Sequence, residues 1–378
     1  MANTLTNLIP LAYEALDLVS RECTGLIGAV NMDASADTIA KGQTVYSPVV
    51  PTGNAIGDIT PAMTVTAASD ITIATKSLVI DSYKVSGFNW TAEEEFGLNS
   101  GVRMENIMRD QLAQEFRKHV NAIESAIWTV GKNGASRATG ATAGTAPVLA
   151  DFAAAAKILT DNGAPLSGRS VVLDTTAGVA LRSTSNLYKV NEAGESSLLR
   201  NGVLGNIYGF DLRESAGISS TTAGAMTGAL FNGAGAVGDT TITFDTGTVN
   251  TTGIVAGDII TVGSHKYVVA TGTTSTSGTF TINAPGLRAV VADNTAITVF
   301  ATATRNLAFT RNAITLATRL PKYQNGDAAA ARSVITDPQT GMSFELTMWP
   351  GQRMVKYEVA IAYGCTAIKP EHLAVIIG

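Results

Sequence analysis

The chain has 378 residues, which predicts two or three domains, because a single core usually stops growing near roughly 250–300 residues. Only 15% of its residues are charged, against roughly 25% in an average soluble domain, and this deficit predicts a surface largely covered by neighbours. The net charge of −5, from 26 basic and 31 acidic residues with no basic tract, excludes the electrostatic footprint of a direct nucleic-acid binder. No run of about 18 apolar residues occurs, so no transmembrane helix is predicted. The start carries no Lys or Arg before Arg21 and no apolar leader core, so no signal peptide is predicted and the protein is expected in a cytoplasm until its assembly is released. The two cysteines, Cys23 and Cys365, lie far apart and read as two buried free thiols, not a disulfide.

In chain order, residues 1–30 read as an amphipathic helix or arm, with Leu5, Leu8, Ile9, Ala12, Leu16 and Val19 at helical spacing and Gly25 and Gly28 as its break. Residues 31–60 read as extended, punctuated by Pro48, Pro51, Gly53 and Gly57. Such an arm has little core of its own and must lie on its own domain or on a neighbour. Residues 61–88 read as a long hairpin, because Val65, Ile71, Ile73, Leu78, Ile80 and Val85 nearly alternate with polar residues. Ser69-Asp70 and Thr75-Lys76-Ser77 are its candidate turns. A two-stranded ribbon alone is marginal in water, so it should pack on a partner.

Thr91 followed by Glu94 fits a capping box. After a break at Gly97 to Gly101, a helix is predicted to about Val130, with Met108, Leu112, Phe116, Val120, Ile123 and Ile127 as its apolar stripe and Gly131 and Gly134 as its stop. At about 1.5 Å per residue, some 30 residues span roughly 45 Å, the length of a spine. Asp151 is predicted to cap a helix from Phe152 to Thr160, closed by Asn162-Gly163. Arg169 to Asp174 reads as a buried strand and Thr175 to Arg182 as a short helix, an alternation that argues an α+β or α/β domain. A polar loop is expected from Ser183 to Arg200.

Composition changes at about Gly233. Residues 233–302 are rich in Thr, carry six charged residues, and repeat short runs at 240–244, 258–262, 266–270, 279–283 and 296–300. Regular short strands between turn residues predict a small antiparallel barrel or sandwich. The earlier style returns at residues 305–321, as expected for an inserted domain. Residues 343–378 read as strands, with Pro370 as the break before a last strand from Ala374 to Ile377.

Little in the chain points to chemistry. Gly233, Gly235 and Gly238 match GxGxxG, but a Thr-rich strand follows where a dinucleotide site needs a helix. His119, His265 and His372 have no second ligand at metal spacing. No GxSxG elbow and no GxxxxGK[ST] loop occurs. Glu93-Glu94-Glu95 reads either as compensation of a helix dipole or as a match for a basic patch on a neighbouring subunit. Trp90, Trp128 and Trp349 read as core or interface anchors. No catalytic residue, cofactor site or metal site is therefore predicted, and the chain reads as a structural subunit, not an enzyme.

The order of arm, hairpin, spine helix, split α+β domain and inserted β-domain resembles the major coat proteins of tailed bacteriophages, the Hong Kong 97 fold. More narrowly, the chain resembles the short-tailed Salmonella phage coat family, whose subunits carry an inserted β-barrel. The residues behind this are RNLAFTRNAITLATRLP (305–321), VAIAYGCTAIKPEHLAVIIG (359–378) and NGVLGNIYGFDLRES (201–215). The resemblance implies an α+β fold with an N-terminal arm (1–57), an E-loop over a neighbour (58–90), a peripheral domain with the spine helix (91–149), an axial domain in two parts (150–232 and 303–378) and an inserted β-domain (233–302). It implies a major capsid protein whose partners are its own copies in pentamers and hexamers, a scaffolding protein, a portal protein and enclosed double-stranded DNA bound without sequence specificity. Lys76 lies in the hairpin without a matching motif, so no isopeptide cross-link is predicted. A tail, decoration or surface-layer protein is the alternative.

Overall fold

A computed structural model describes residues 24–49, 74–99, 104–140, 142–184, 205–324 and 326–378. Residues 1–23, with Cys23, of the helix or arm expected over 1–30, residues 61–73 of the expected hairpin with its Ser69-Asp70 turn, and most of the 183–200 loop lie outside the described residues, and residues 24–30 form turns, not helix. In chain order the elements are β1 (Asn31–Ile39), β2 (Thr44–Val49), β3 (Ala74–Val79), β4 (Ser82–Thr91), α1 (Ala92–Asn99), α2 (Met104–Gly134), β5 (Arg137–Thr139), α3 (Leu149–Asp161), β6 (Arg169–Leu173), α4 (Thr175–Arg182), β7 (Asn206–Ile207), β8 (Phe210–Glu214), β9 (Ser220–Thr221), β10 (Met226–Thr227) and β11 (Ala229–Phe231). There follow β12 (Thr241–Asp245), β13 (Thr248–Val249), β14 (Ile259–Val262), β15 (His265–Thr271), β16 (Gly278–Ile282), β17 (Ala296–Val299), β18 (Ala303–Thr310), β19 (Ile314–Pro321), β20 (Ala331–Thr336), β21 (Ser343–Gly351), β22 (Met354–Ala367) and β23 (Leu373–Ile377).

The central sheet runs β5-β23-β18-β6-β8-β7. Its middle strands β23, β18 and β6 are buried on both faces, because both faces are covered. In β23, Leu373, Val375 and Ile377 join the core under α2, while Ala374 and Ile376 join the core under α3 and α4. The α2 stripe Met108, Leu112, Phe116, Val120, Ile123 and Ile127 is buried along its length, as its 3.6-residue period requires. A second sheet, β1-β19-β22-β21-β20 with β4 also on β22, packs on the same helix and shares its core.

Residues 226–299 build a third core of their own. Six antiparallel strands in the order β14-β17-β11-β12-β16-β15 close through a β14–β15 pairing into a barrel. Thr241 and Thr243 face out of β12 while Ile242 and Phe244 fill the interior. The five apolar runs expected from the sequence all fall in barrel strands. The barrel also takes in β11, which begins at Ala229, before the change in composition.

The barrel is joined to the rest by backbone and by side chains. Strand β15 pairs with β5, so the barrel wall continues into the central sheet. Asn283 donates to the carbonyls of Asn133 and Ala135 at 2.7 and 2.8 Å, at the end of α2. Asp258 and Arg305, both about fully buried, face each other with 3.8 Å between Oδ1 and Nη2. Asp258 is held from its other side by the N–H groups of Gly224 and Val255.

Several expectations need correction. Gly131 does not end the spine helix, which runs to Gly134. A Cβ at 131 would stand 2.5 Å from Leu307 Cδ1, so this glycine permits close helix–sheet contact and is not a stop. The first short helix continues through Gly97 to Asn99. Helix α3 begins at Leu149, and Asp151 is in its first turn, where its carboxylate accepts the N–H of Val148 at 3.0 Å. Thr75-Lys76-Ser77 is not a turn; it is the middle of β3, paired with Pro48, Ser47 and Tyr46 of β2. The last strand begins one residue earlier, at Leu373.

Candidate assembly surfaces

The polar residues singled out in the sequence are spread over separate elements. His119, on α2, is 3% exposed; its Nε2 lies 2.9 Å from Ser86 Oγ and 3.0 Å from the Val359 carbonyl. Burial holds its pKa below the usual imidazole range. His265 opens barrel strand β15, and His372 lies in the short turn after Pro370. Among the described residues, no three His, Cys, Asp or Glu side chains are placed to share a metal ion. The Gly233–Gly238 stretch is a barrel loop leading into β12; Gly233 and Gly238 have positive φ, at 86° and 95°. Cys365 is a half-buried free thiol whose pKa burial pushes up to about 12.

Trp90 and Trp128 are core residues, with indole N–H donations to Gln111 Oε1 and to the Arg305 carbonyl, each at 3.0 Å. Trp349 is half-buried, with the Arg332 guanidinium 5.7 Å from its ring. The capping box forms as expected. Thr91 N–H and Oγ1 both donate to Glu94 Oε2 at 2.9 Å, and Glu94 N–H returns to Thr91 Oγ1 at 3.2 Å. These bonds to the carboxylate hold the Glu94 pKa below its usual value.

Exposed large apolar side chains are scattered over the described residues, and in two places, on the β2–β3 ribbon and beside α1, they lie next to one another. Strands β2 and β3 form a separate two-stranded sheet. Alternation along each strand gives the ribbon two faces. On one, Leu78 and Val45 oppose each other and join Ile80, Ala317 and Ala362 in a small core. Lys76, on the same face, donates to the Ile368 carbonyl, and nearby the Tyr83 hydroxyl donates to the Ile39 carbonyl. The other face carries Tyr46 and Val79, 68% and 45% exposed and diagonal to each other.

The base of the ribbon crosses β22 where that strand has glycine. A Cβ on Gly364 would stand 2.2 Å from the Val79 carbonyl oxygen. Backbone lies directly on backbone there, and no larger residue fits without moving the ribbon. A second uncovered surface lies at α1. Phe96 is 77% exposed, and with Thr91, Ala92, Arg353 and Met354 it lines an open cleft of about 640 Å³ at the β21–β22 hairpin tip. Sequence reasoning expected a hairpin over residues 61–88; of its described part, residues 74–79 pair with β2 and residues 82–88 pair with β22, so the ribbon is not that hairpin, and Phe96, outside the apolar stripe of the spine helix, was missed.

One buried carboxylate organises the entry into the fold. Glu124, on α2, is 1% exposed. Its Oε1 accepts from Leu26 N–H and Ser215 Oγ, both at 2.7 Å, and its Oε2 accepts from Ile27 N–H at 3.0 Å. Leu26, Ile27, Ala29 and Val30 thereby enter the main core. No sequence motif announces this residue.

No protein-family model and no curated protein matches the chain. Solved structures do. A chain of the cyanophage A-1(L) capsid asymmetric unit superposes with a TM-score of 0.51 and 12% identity, over 94% of this chain and 92% of the other. A chain from the capsid structure of cyanophage P-SCSP1u superposes with a TM-score of 0.50 and 14% identity, over 94% and 88%. At these identities the likeness is one of fold: the chain shares a mixed helix-and-sheet fold with subunits of phage capsids.

Proposed function

We propose that the chain is the major capsid protein of a tailed bacteriophage, self-assembling into the icosahedral head shell that encloses the viral double-stranded DNA. The observation that carries this reading is the fold shared with two cyanophage capsid chains over 94% of its length. The ribbon and the α1 cleft support it, because both expose apolar side chains, Tyr46 and Val79 on one and Phe96 and Met354 at the other, that a neighbouring copy would cover. A charge-poor surface is consistent with burial between copies.

In this reading the organisation is that of the Hong Kong 97 fold. Residues 1–57 are the arm, 58–90 the E-loop, 91–149 the peripheral domain, 150–232 and 303–378 the axial domain, and 233–302 the inserted β-domain. The protein's role is structural, and copies of itself in pentamers and hexamers are its main partners. Scaffolding and portal proteins act during assembly in the host cytoplasm, and DNA is enclosed without sequence-specific contact. Closure follows from the same modest contacts repeated by symmetry.

The test is negative-stain electron microscopy of lysate from cells expressing the chain with and without the phage's scaffolding protein. Uniform closed particles are expected. A product that stays monomeric under both conditions overturns the proposal, and tubes or flat lattices assign a different structural role.

A further inference from the structure

A group of cationic side chains where the barrel meets the central sheet plays no part in the assembly reading. Arg137 on β5 and Tyr267 on β15 are directly opposed in register, so their side chains stand on one face. His265, two residues before Tyr267, shares that face; the two rings are 6.1 Å apart between centroids. Arg288, after β16, donates its backbone N–H to Tyr267 Oη at 3.0 Å, which fixes the root of its side chain beside the phenol. Lys157 and Asp161, at the end of α3, close the group.

Charge in this group does not balance. Asp161 is the single carboxylate beside Arg137, Lys157 and Arg288; burial and these cations hold the His265 pKa below the usual imidazole range, so that ring adds no charge. Lys157 takes its Oδ2 at 2.8 Å, and Arg137 Nη2 stays 3.6 Å from the same oxygen. Arg137 is 5% exposed, and its Nε and Nη2 have no hydrogen-bond acceptor among the described residues. Tyr267 is 1% exposed; its oxygen accepts from Arg288, and its own hydrogen has no acceptor among the described residues. Buried donors in native proteins are almost always satisfied, by protein, water or an ion.

We propose that this face binds a phosphate-class oxyanion, held by Arg137, Tyr267 and Arg288 with Lys157 at the rim. The guanidinium fork matches the oxygen spacing of such an ion, and the Tyr267 hydroxyl adds a neutral donor. Two of the donors belong to the barrel and two to the body around the central sheet, so the ion bridges the two. The ligand is free phosphate or a phosphodiester oxygen of nucleic acid; the burial of Arg137 and Tyr267 favours the smaller one. The proposal stands whether or not the chain forms a shell.

The test is calorimetric titration of the full-length chain with inorganic phosphate at constant ionic strength, against chloride as the control. One saturable site per chain is expected. Loss of a charge-assisted hydrogen bond should weaken it by about tenfold or more in Arg288→Gln. A smaller loss is expected in Lys157→Gln, whose side chain is 75% exposed and whose fold is therefore safe even if Arg288→Gln misfolds. Short duplex DNA that binds and is displaced by phosphate supports the site with nucleic acid as the source. The proposal is overturned by an absence of saturable phosphate binding, by binding that both variants leave unchanged, or by duplex binding that phosphate does not compete.

Discussion

Glu124 joins three parts of the chain through one side chain: the segment entering the fold at Leu26 and Ile27, the spine helix, and Ser215 after β8. Both carboxylate oxygens accept, so an amide cannot replace it, because one of its two positions would present N–H to N–H. Glu124→Gln should therefore cost about 1–3 kcal/mol, the range for leaving a buried donor unpaired, read as a lower urea midpoint for the full chain; an unchanged midpoint contradicts this role. His119 gives a pH signature. Burial lowers its folded pKa beneath the 6.5 of a free imidazole, so the unfolded chain takes up the proton first. Its share of stability is present above about pH 6.5 and is lost as pH falls through that value toward the folded pKa. Unfolding measured across that range should steepen less in His119→Gln than in the parent chain, and equal slopes would exclude the effect. The His119 position was legible as part of a helix. Its partners Ser86 and Val359 were not, since they come from other strands.

The ribbon shows how far local pattern reaches at the scale of an element. Alternation marked residues 61–88 as a hairpin, of which residues 74–79 and 82–88 are strand among the described residues. It did not identify the pairing partner, because β2 contains Pro48 and sits where the sequence reads as an extended arm. Nor did it exclude a turn at Thr75-Lys76-Ser77, since three polar residues fit a turn as well as an exposed ribbon. The spine helix was legible along its stripe, but Gly131 read as a stop because a glycine needed for close packing looks the same in sequence as one that ends a helix. Gly364→Ala tests the ribbon's seat. The new methyl would meet backbone at Val79, and overpacking of this kind costs about 1–3 kcal/mol. The expected result is a folded chain with reduced particle yield by sedimentation, and full yield would mean that the ribbon's position does not matter. Tyr46→Asp tests its outer face. A substitution on an exposed side chain should change monomer stability by no more than about 0.5 kcal/mol. If Tyr46 anchors a neighbour, its loss costs about 2 kcal/mol or more per contact, and assembly monitored by light scattering should fail while the monomer's circular dichroism stays as before.

For the whole molecule, strand–helix alternation and the Thr-rich insert were enough to expect a split core with a small β-domain in it. Closure of the six strands into a barrel was left open between barrel and sandwich, because the β14–β15 closure leaves no separate mark in the sequence. The continuity of the barrel with the central sheet through β5 was not legible either, since Arg137–Thr139 is a three-residue strand. The described residues bury four apolar clusters around one long helix and its sheets, and their exposed apolar side chains include Tyr46 and Val79 on the ribbon and Phe96 on α1, with others such as Leu166, Val179 and Val290 elsewhere. The most direct measurement is an electron cryomicroscopy reconstruction of particles purified from cells expressing this chain. The account predicts icosahedral shells of pentamers and hexamers in which Tyr46, Val79 and Phe96 are covered by neighbouring copies. Particles in which all three stay exposed to solvent, or a chain that forms no closed particle, would contradict it.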